Sequence, residues 1–65
     1  MKLYVARDKN GALYLYENKP YKDVGIWCPR GMSILLGRDA LPEVKWEDED
    51  PTEVELTIKR KNDKL

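Results

Sequence analysis

The chain has 65 residues, of which 42% are hydrophobic and 37% charged, and its 12 basic and 12 acidic residues leave no formal net charge. A chain of this length forms one small domain with a marginal core. The lone Cys28 excludes an internal disulfide, and the lack of histidine excludes the common zinc sites and any Ser-His or Cys-His nucleophile. No apolar run approaches the length of about 20 residues that spans a bilayer. The charged residues Arg7, Asp8 and Lys9 lie where a signal peptide would need its apolar run. We therefore expect a cytoplasmic protein without metal, cofactor or membrane contact.

The N-terminal third predicts a β-hairpin. Residues 2–7 and 12–17 alternate apolar and polar side chains, as half-buried strands do. A three-residue loop with Gly11 as the left-handed bulge residue places Val5 opposite Leu15, whereas a two-residue turn divides the aliphatic side chains between both faces. Burial therefore favours the three-residue loop. One face then carries Leu3, Val5, Leu13 and Leu15, and the other carries Tyr4, Ala6, Tyr14 and Tyr16.

A second hairpin is predicted around the turn at residues 28–31, which repeats the pattern of the first loop. Pro29 suits the first central position of a type I turn, and Gly31 suits the bulge. In the matching register Cys28 pairs with Met32, and the apolar side chains of both strands share a face. We therefore expect Cys28 to be buried on the core side and to react slowly with a bulky thiol reagent.

A third hairpin is predicted from the alternation in residues 43–47 and 53–59, which the polar connection 48–51 joins. Three consecutive hairpins predict an all-β fold: a small antiparallel meander of five to six short strands, forming a rolled sheet or a small SH3-like barrel. We expect one β domain over residues 1–58 and a charged, frayed tail over 59–65. The predicted core consists of Leu3, Val5, Leu13, Leu15, Val24, Ile26, Ile34, Leu36, Val44, Trp46, Val54, Leu56 and Ile58.

The first candidate interaction surface is the tyrosine face, which consists of Tyr4, Tyr14 and Tyr16. Tyrosine is common at protein interfaces because it offers a large contact area at a low entropic cost. Tyrosines also stack on unpaired bases, with nearby lysines contacting phosphates. Those lysines are Lys2, Lys19 and Lys22 and the basic residues of the tail. The alternative is that the rolled sheet covers this face, so that the tyrosines belong to the core.

The second candidate surface is acidic. The net charge is +3 over residues 1–31, −6 over 32–58 and +3 over 59–65. The densest acidic residues are Glu47, Asp48, Glu49, Asp50 and Glu53. Their negative charge is complementary to a basic partner protein. The alternative is that they form a solvated loop and an outward strand face without a partner. The segment lacks the spacing of a calcium-binding loop, so no metal site is predicted.

Several stretches resemble a known group of proteins. The stretches that are similar to small uncharacterised proteins of phages and mobile elements from anaerobic gut bacteria are residues 2–8, residues 10–20, Leu41–Val44, Trp46–Glu47 and residues 51–56. The resemblance extends over nearly the whole chain and involves turn and strand residues. It implies no assigned activity, and it implies a compact accessory protein.

The sequence therefore predicts a small, non-enzymatic protein-interaction module that binds another protein or itself. Two alternatives remain open at this point. One is a single-stranded nucleic-acid binder that uses the tyrosine face and the lysine tail. The other is a homo-oligomer that associates through the tyrosine face.

Overall fold

The computed structural model describes residues 1–57, in which six β-strands and no α-helix are found. The strands are β1 (Lys2–Arg7), β2 (Leu13–Tyr16), β3 (Tyr21–Lys22), β4 (Trp27–Cys28), β5 (Ser33–Leu36) and β6 (Thr52–Glu55). One antiparallel sheet of four strands has the order β5-β2-β1-β6, and β3 pairs with β4 in a separate two-stranded sheet. The small antiparallel all-β fold is confirmed, and its sheets do not close into a barrel. Ile58 and the tail 59–65 lie outside the described residues.

The first hairpin forms in the predicted register, with Val5 opposite Leu15 and Tyr4 opposite Tyr16. Gly11 has a φ of 96°, the left-handed conformation that the bulge position requires. Its N–H donates to the carbonyl of Asp8 at 2.9 Å, which closes the turn. The loop therefore sets the register, and the aliphatic and tyrosine faces form as predicted.

The second predicted hairpin is wrong in its strand pairing, although Gly31 has the expected positive φ of 106°. β4 pairs backwards with β3, and β5 pairs with β2. Gly25, with a φ of 77°, permits the tight turn that joins β3 to β4. Pairing with β2 favours β5 over pairing with β4, because it places Ile34 opposite Leu15 on the aliphatic face.

The third predicted hairpin is also wrong, because residues 43–47 form turns and contain no strand. The N–H of Val44 donates to the carbonyl of Leu41 at 3.0 Å. The N–H of Lys45 donates to the carboxylate of Asp48, also at 3.0 Å. These local bonds use donors that a strand ladder would need. β6 instead pairs with β1, with Leu3 opposite Val54.

The core consists of two clusters, one on each face of the four-stranded sheet. On the aliphatic face Val5, Leu13 and Val44 are buried, and Leu15, Leu36 and Val54 pack against them. On the tyrosine face Ala6, Tyr16 and Trp27 are buried, and Tyr4, Tyr14 and Trp46 pack against them. Four predicted core residues are instead exposed: Val24, Ile26, Ile34 and Leu56. Their exposure follows from the changed pairing, which leaves the β3–β4 turn and the outer half of the aliphatic face uncovered.

Arg7 at the end of β1 holds the segment that follows β5. All of its side-chain N–H groups donate to backbone carbonyls, and none meets a carboxylate. The acceptors are the carbonyls of Gly11, Arg38, Ala40, Leu41 and Val44, at 2.7–3.1 Å. Leu41 precedes Pro42 and has a positive φ of 49°, a strained conformation for leucine. The guanidinium therefore fixes a segment that the local sequence does not favour.

Candidate functional site

The tyrosine face is covered. Tyr16 is only 1% exposed, and it packs with Ala6 and Trp27 in the second cluster. Tyr4 and Tyr14 are half-buried against the same cluster. The structure therefore places Tyr16 in the core, the alternative that the sequence left open, and leaves Tyr4 and Tyr14 partly exposed.

Lys22 contacts both tryptophans that pack on the tyrosine face. Its Nζ atom donates to the carbonyls of Trp46 and Asp48 at 2.7 and 2.9 Å. The same atom lies 4.2 Å from the centre of the Trp46 ring and 5.3 Å from that of Trp27. Cation–π attraction and two charge-assisted hydrogen bonds thus hold the turn at residues 45–48 beside the β3–β4 hairpin.

A hollow of about 340 Å³ lies beside the second cluster. Its lining includes Asp8, whose Oδ1 accepts a hydrogen bond from the N–H of Trp27 at 2.8 Å. Burial, and then the charge of Asp8, raises the pKa of Tyr16 well above its usual value. The phenol therefore stays protonated further into the alkaline range than an ordinary tyrosine does. The indole Nε1 of Trp27 is buried without a hydrogen-bond partner among residues 1–57.

The acidic residues of the second candidate surface differ in their contacts. The Asp48 carboxylate caps its own turn, and its carbonyl accepts from Lys22. Glu53 lies on β6 and pairs with Lys2 at 3.3 Å. Glu47, Glu49 and Asp50 are exposed. Two of the five therefore have structural partners.

The basic residues proposed for phosphate contacts are divided in the same way. Lys2 pairs with Glu53, and Lys22 is fixed between the two tryptophans. Lys19 is exposed. The lysine tail lies outside the described residues.

Cys28 lies opposite Tyr21 and not opposite Met32. It is half-buried, and its Sγ atom is 4.0 Å from a carboxylate oxygen of Asp23. Its side-chain hydrogen bond with Tyr21 raises the pKa of that phenol. The predicted position of Cys28 on the core side of a β4–β5 hairpin is therefore wrong.

One uncovered apolar area is the outer half of the aliphatic face. Val44 covers only the half near Val5 and Leu13. In the other half Met32 and Ile34 are 70% and 54% exposed. A hollow of about 200 Å³ opens there, and we call it the apolar hollow. It is lined by Leu3, Leu15, Glu17, Met32 and Ile34.

The apolar hollow lies beside a free strand edge. β5 is an outer strand of the four-stranded sheet, and no strand in residues 1–57 pairs with its other side. Leu35, on the opposite face from Ile34, is 63% exposed. An apolar surface and unpaired backbone groups therefore meet at β5.

The apolar hollow was not predicted from the sequence, and neither were the structural roles of three charged residues elsewhere in the fold: Arg7, Asp8 and Lys22. All three bond to backbone groups distant in the chain, so no neighbouring charge signals their roles. The uncharged sequence of β5 was a signal for the hollow, but Ile34 and Leu36 were assigned to the core.

Residues 1–57 contain no group of three or more His, Cys, Asp or Glu side chains placed to bind a metal ion. Within the same residues, no helix has the length and apolar character that crossing a bilayer requires. No protein-family model, no curated protein and no solved structure gives a significant match to this chain.

Proposed function

We propose that this chain is a small, non-enzymatic protein-interaction module that binds another protein through the apolar hollow. The observation that supports the proposal is the exposure of Met32 and Ile34 around a concave aliphatic surface. Large exposed apolar patches with polar rims are typical of interaction sites in small soluble domains. An accessory role in a phage or mobile element belongs to the same proposal and rests on the sequence resemblance alone.

The lining of the hollow indicates what a partner presents. Its walls are the side chains of Leu3, Leu15, Met32 and Ile34, and its polar rim is Glu17. A methionine adapts its shape to different apolar groups, which suits a docking surface. We propose that the partner inserts an aliphatic side chain and places a basic group or a backbone N–H near Glu17.

Two other functions receive no support from the geometry. Single-stranded nucleic-acid binding and self-association through the tyrosine face both require an open tyrosine face. Tyr16 is buried with Ala6 and Trp27, so this face offers a partner only the partly exposed Tyr4 and Tyr14.

Site-specific photo-cross-linking in the source cell tests the proposal. A benzophenone amino acid replaces Met32 in one variant and Val24 in the matched control. Val24 is 94% exposed in the β3–β4 turn, away from the hollow. We expect position 32 to give a defined cross-linked product with another protein, which mass spectrometry identifies, and position 24 to give none.

Two results would contradict the proposal. One is the same set of products from both positions. The other is cross-linking from position 32 only to the chain's own residues 58–65, which would mean that the chain fills its own hollow.

A further inference from the structure

We infer that β5 pairs edge to edge with β5 of a second copy of this chain, forming a two-fold symmetric dimer centred on Ile34. The inference concerns the backbone edge of β5 as well as its side chains. Because Ile34 also lines the apolar hollow, it rests in part on the proposed function.

The two outer edges of the four-stranded sheet differ in charge. β6 carries Glu53 and Glu55, and two copies of β6 side by side would bring carboxylates together. Charged side chains at an edge strand oppose edge-to-edge association. β5 has the sequence Ser-Ile-Leu-Leu and no charge, so its edge lacks this protection. The closed, isologous contact is therefore available at β5 and not at β6.

The hydrogen bonds within the sheet show which groups of β5 are free. The N–H of Glu17 donates to the carbonyl of Met32 at 3.1 Å, so these residues form a hydrogen-bonded pair. Hydrogen-bonded pairs alternate along an antiparallel ladder. Ile34 therefore directs its backbone N–H and C=O toward β2, whereas Ser33 and Leu35 direct theirs away from the sheet.

These free groups select one register. Antiparallel pairing that places Ser33 opposite Leu35 of the second copy gives two hydrogen-bonded pairs, related by the two-fold axis. A shift of one residue brings the occupied backbone groups of Ile34 to the interface and reverses the faces. A shift of two residues leaves only one hydrogen-bonded pair within β5, either Ser33 with Ser33 or Leu35 with Leu35. A second pair would then need Gly31, whose φ of 106° does not fit a strand, or Gly37, which lies outside β5.

In the selected register Ile34 lies opposite Ile34 of the second copy. This is a non-hydrogen-bonded pair, in which Cα atoms are about 4.5 Å apart and side chains make close contact. Both side chains point to the aliphatic face, because Ile34 shares that face with Leu15. The two apolar hollows then join across the axis into one groove, so dimerisation and binding of another protein are compatible.

The size of the contact sets its expected strength. A standard interface buries about 800 Å² per partner, and the accessible surface of the chain is 5241 Å². Two strands of four residues bury less than the standard area, so we expect a micromolar dimer. Association is one device by which domains too small for a large core gain stability, and the single Cys28 leaves no internal disulfide for that purpose.

Sedimentation equilibrium of the full chain, from low micromolar to submillimolar concentration, tests the inference. We expect a monomer–dimer equilibrium for the natural sequence. Ile34→Lys and Ile34→Glu should each weaken the dimer at least about tenfold, because like charges then face each other across the axis. Mixing the two variants in equal amounts should restore a heterodimer. Val24→Lys, an apolar-to-charged change at another exposed position away from β5, should leave the equilibrium unchanged.

A disulfide experiment checks the register independently. In a Cys28→Ser background, Ile34→Cys should form an intermolecular disulfide under mild oxidation, since the distance between the paired Cα atoms suits the bond. Leu35→Cys should form far less, because Leu35 faces Ser33 of the second copy. Folding of each variant is verified by circular dichroism.

A monomer at every concentration, a mixture that fails to form the heterodimer, or assemblies larger than a dimer would each overturn the inference. The last result is what β5–β6 pairing would give. A monomer that still cross-links from position 32 to another protein would refute the dimer and leave the proposed function standing. A dimer whose only cross-linked product is the second copy would refute the proposed function and leave the dimer standing.

Discussion

Replacement of Arg7 should be among the most destabilising single changes in the chain. Its five hydrogen bonds join β1 and the first loop to residues 38–44. A hydrogen bond from a charged donor is worth about 1.5–3 kcal/mol when it is sheltered from water. Only the bonds to Val44 and Gly11 are partly buried, and water replaces the others. Arg7→Met should therefore lower the free energy of unfolding by about 3–5 kcal/mol.

A loss of that size is large for this chain. Domains are stable by about 0.05–0.15 kcal/mol per residue, which corresponds to roughly 3–10 kcal/mol for 65 residues. Urea unfolding followed by tryptophan fluorescence measures the change, because Trp27 and Trp46 both lie in the second cluster. If Arg7→Met does not fold, Arg7→Lys, which keeps the charge but loses the planar fork, should give a smaller, measurable loss.

Arg38→Met is the matched control. Arg38 makes one exposed hydrogen bond, from Nη1 to the carbonyl of Asn10 at 2.8 Å. We expect its replacement to cost less than about 1 kcal/mol. Equal losses from the Arg7 and Arg38 variants would refute the argument that the five-carbonyl site of Arg7 fastens the segment.

Three further predictions concern the tyrosine face and the first loop. Burial raises the pKa of Tyr16, so above about pH 10 the folded state retains a proton that the unfolded state loses, and stability falls as pH rises. Tyr16→Phe should flatten this fall, by up to about 1.4 kcal/mol per pH unit, and parallel stability curves for the two proteins would contradict the assignment. Gly11→Ala should lower the free energy of unfolding by about 1–3 kcal/mol, because Gly11 has a φ of 96°. Gly37→Ala should lower it less, because a Cβ atom at position 37 would meet open space. Lys22→Met should increase iodide quenching of Trp46 fluorescence, and unchanged quenching would show that Lys22 does not hold the ring.

Local features of the sequence were sufficient to predict the first hairpin. The loop at residues 8–11 and the alternation on both sides of it determine one register, and the structure has that register. The conformation of Gly31 was likewise predictable, since it depends only on the adjacent turn residues. These features need no knowledge of the rest of the chain.

The choice of strand partners was not predictable in this way. Val44 and Trp46 alternate with charged residues as a strand would, and on a strand they would share a face. In the structure they pack on opposite faces of the sheet. The turn at Asp48 decides between the strand and the observed loop. In that turn the Asp48 carboxylate accepts a hydrogen bond from the N–H of Lys45, a donor that a strand ladder would otherwise use.

The candidate site was misplaced for a related reason. Ile34 was assigned to the core because it matches the alternation of its neighbours. The pattern shows which side chains share a face, but the covering of that face depends on distant segments. Among residues 1–57, the buried residue that covers the aliphatic face from outside the sheet is Val44, which clusters with Val5 and Leu13 and does not line the hollow at Ile34.

The passage of the chain from Val44 to Trp46 has a consequence for how the molecule opens. These two residues, two positions apart, belong to the aliphatic cluster and the tyrosine cluster respectively. A fluctuation that lifts this segment uncovers both faces of the sheet at once, so neither cluster persists without the other. Backbone amides of Val5 and Ala6, which point to opposite neighbouring strands, should therefore exchange with solvent deuterium through the same global event. The protein, although it has two separate clusters, should unfold as one cooperative unit.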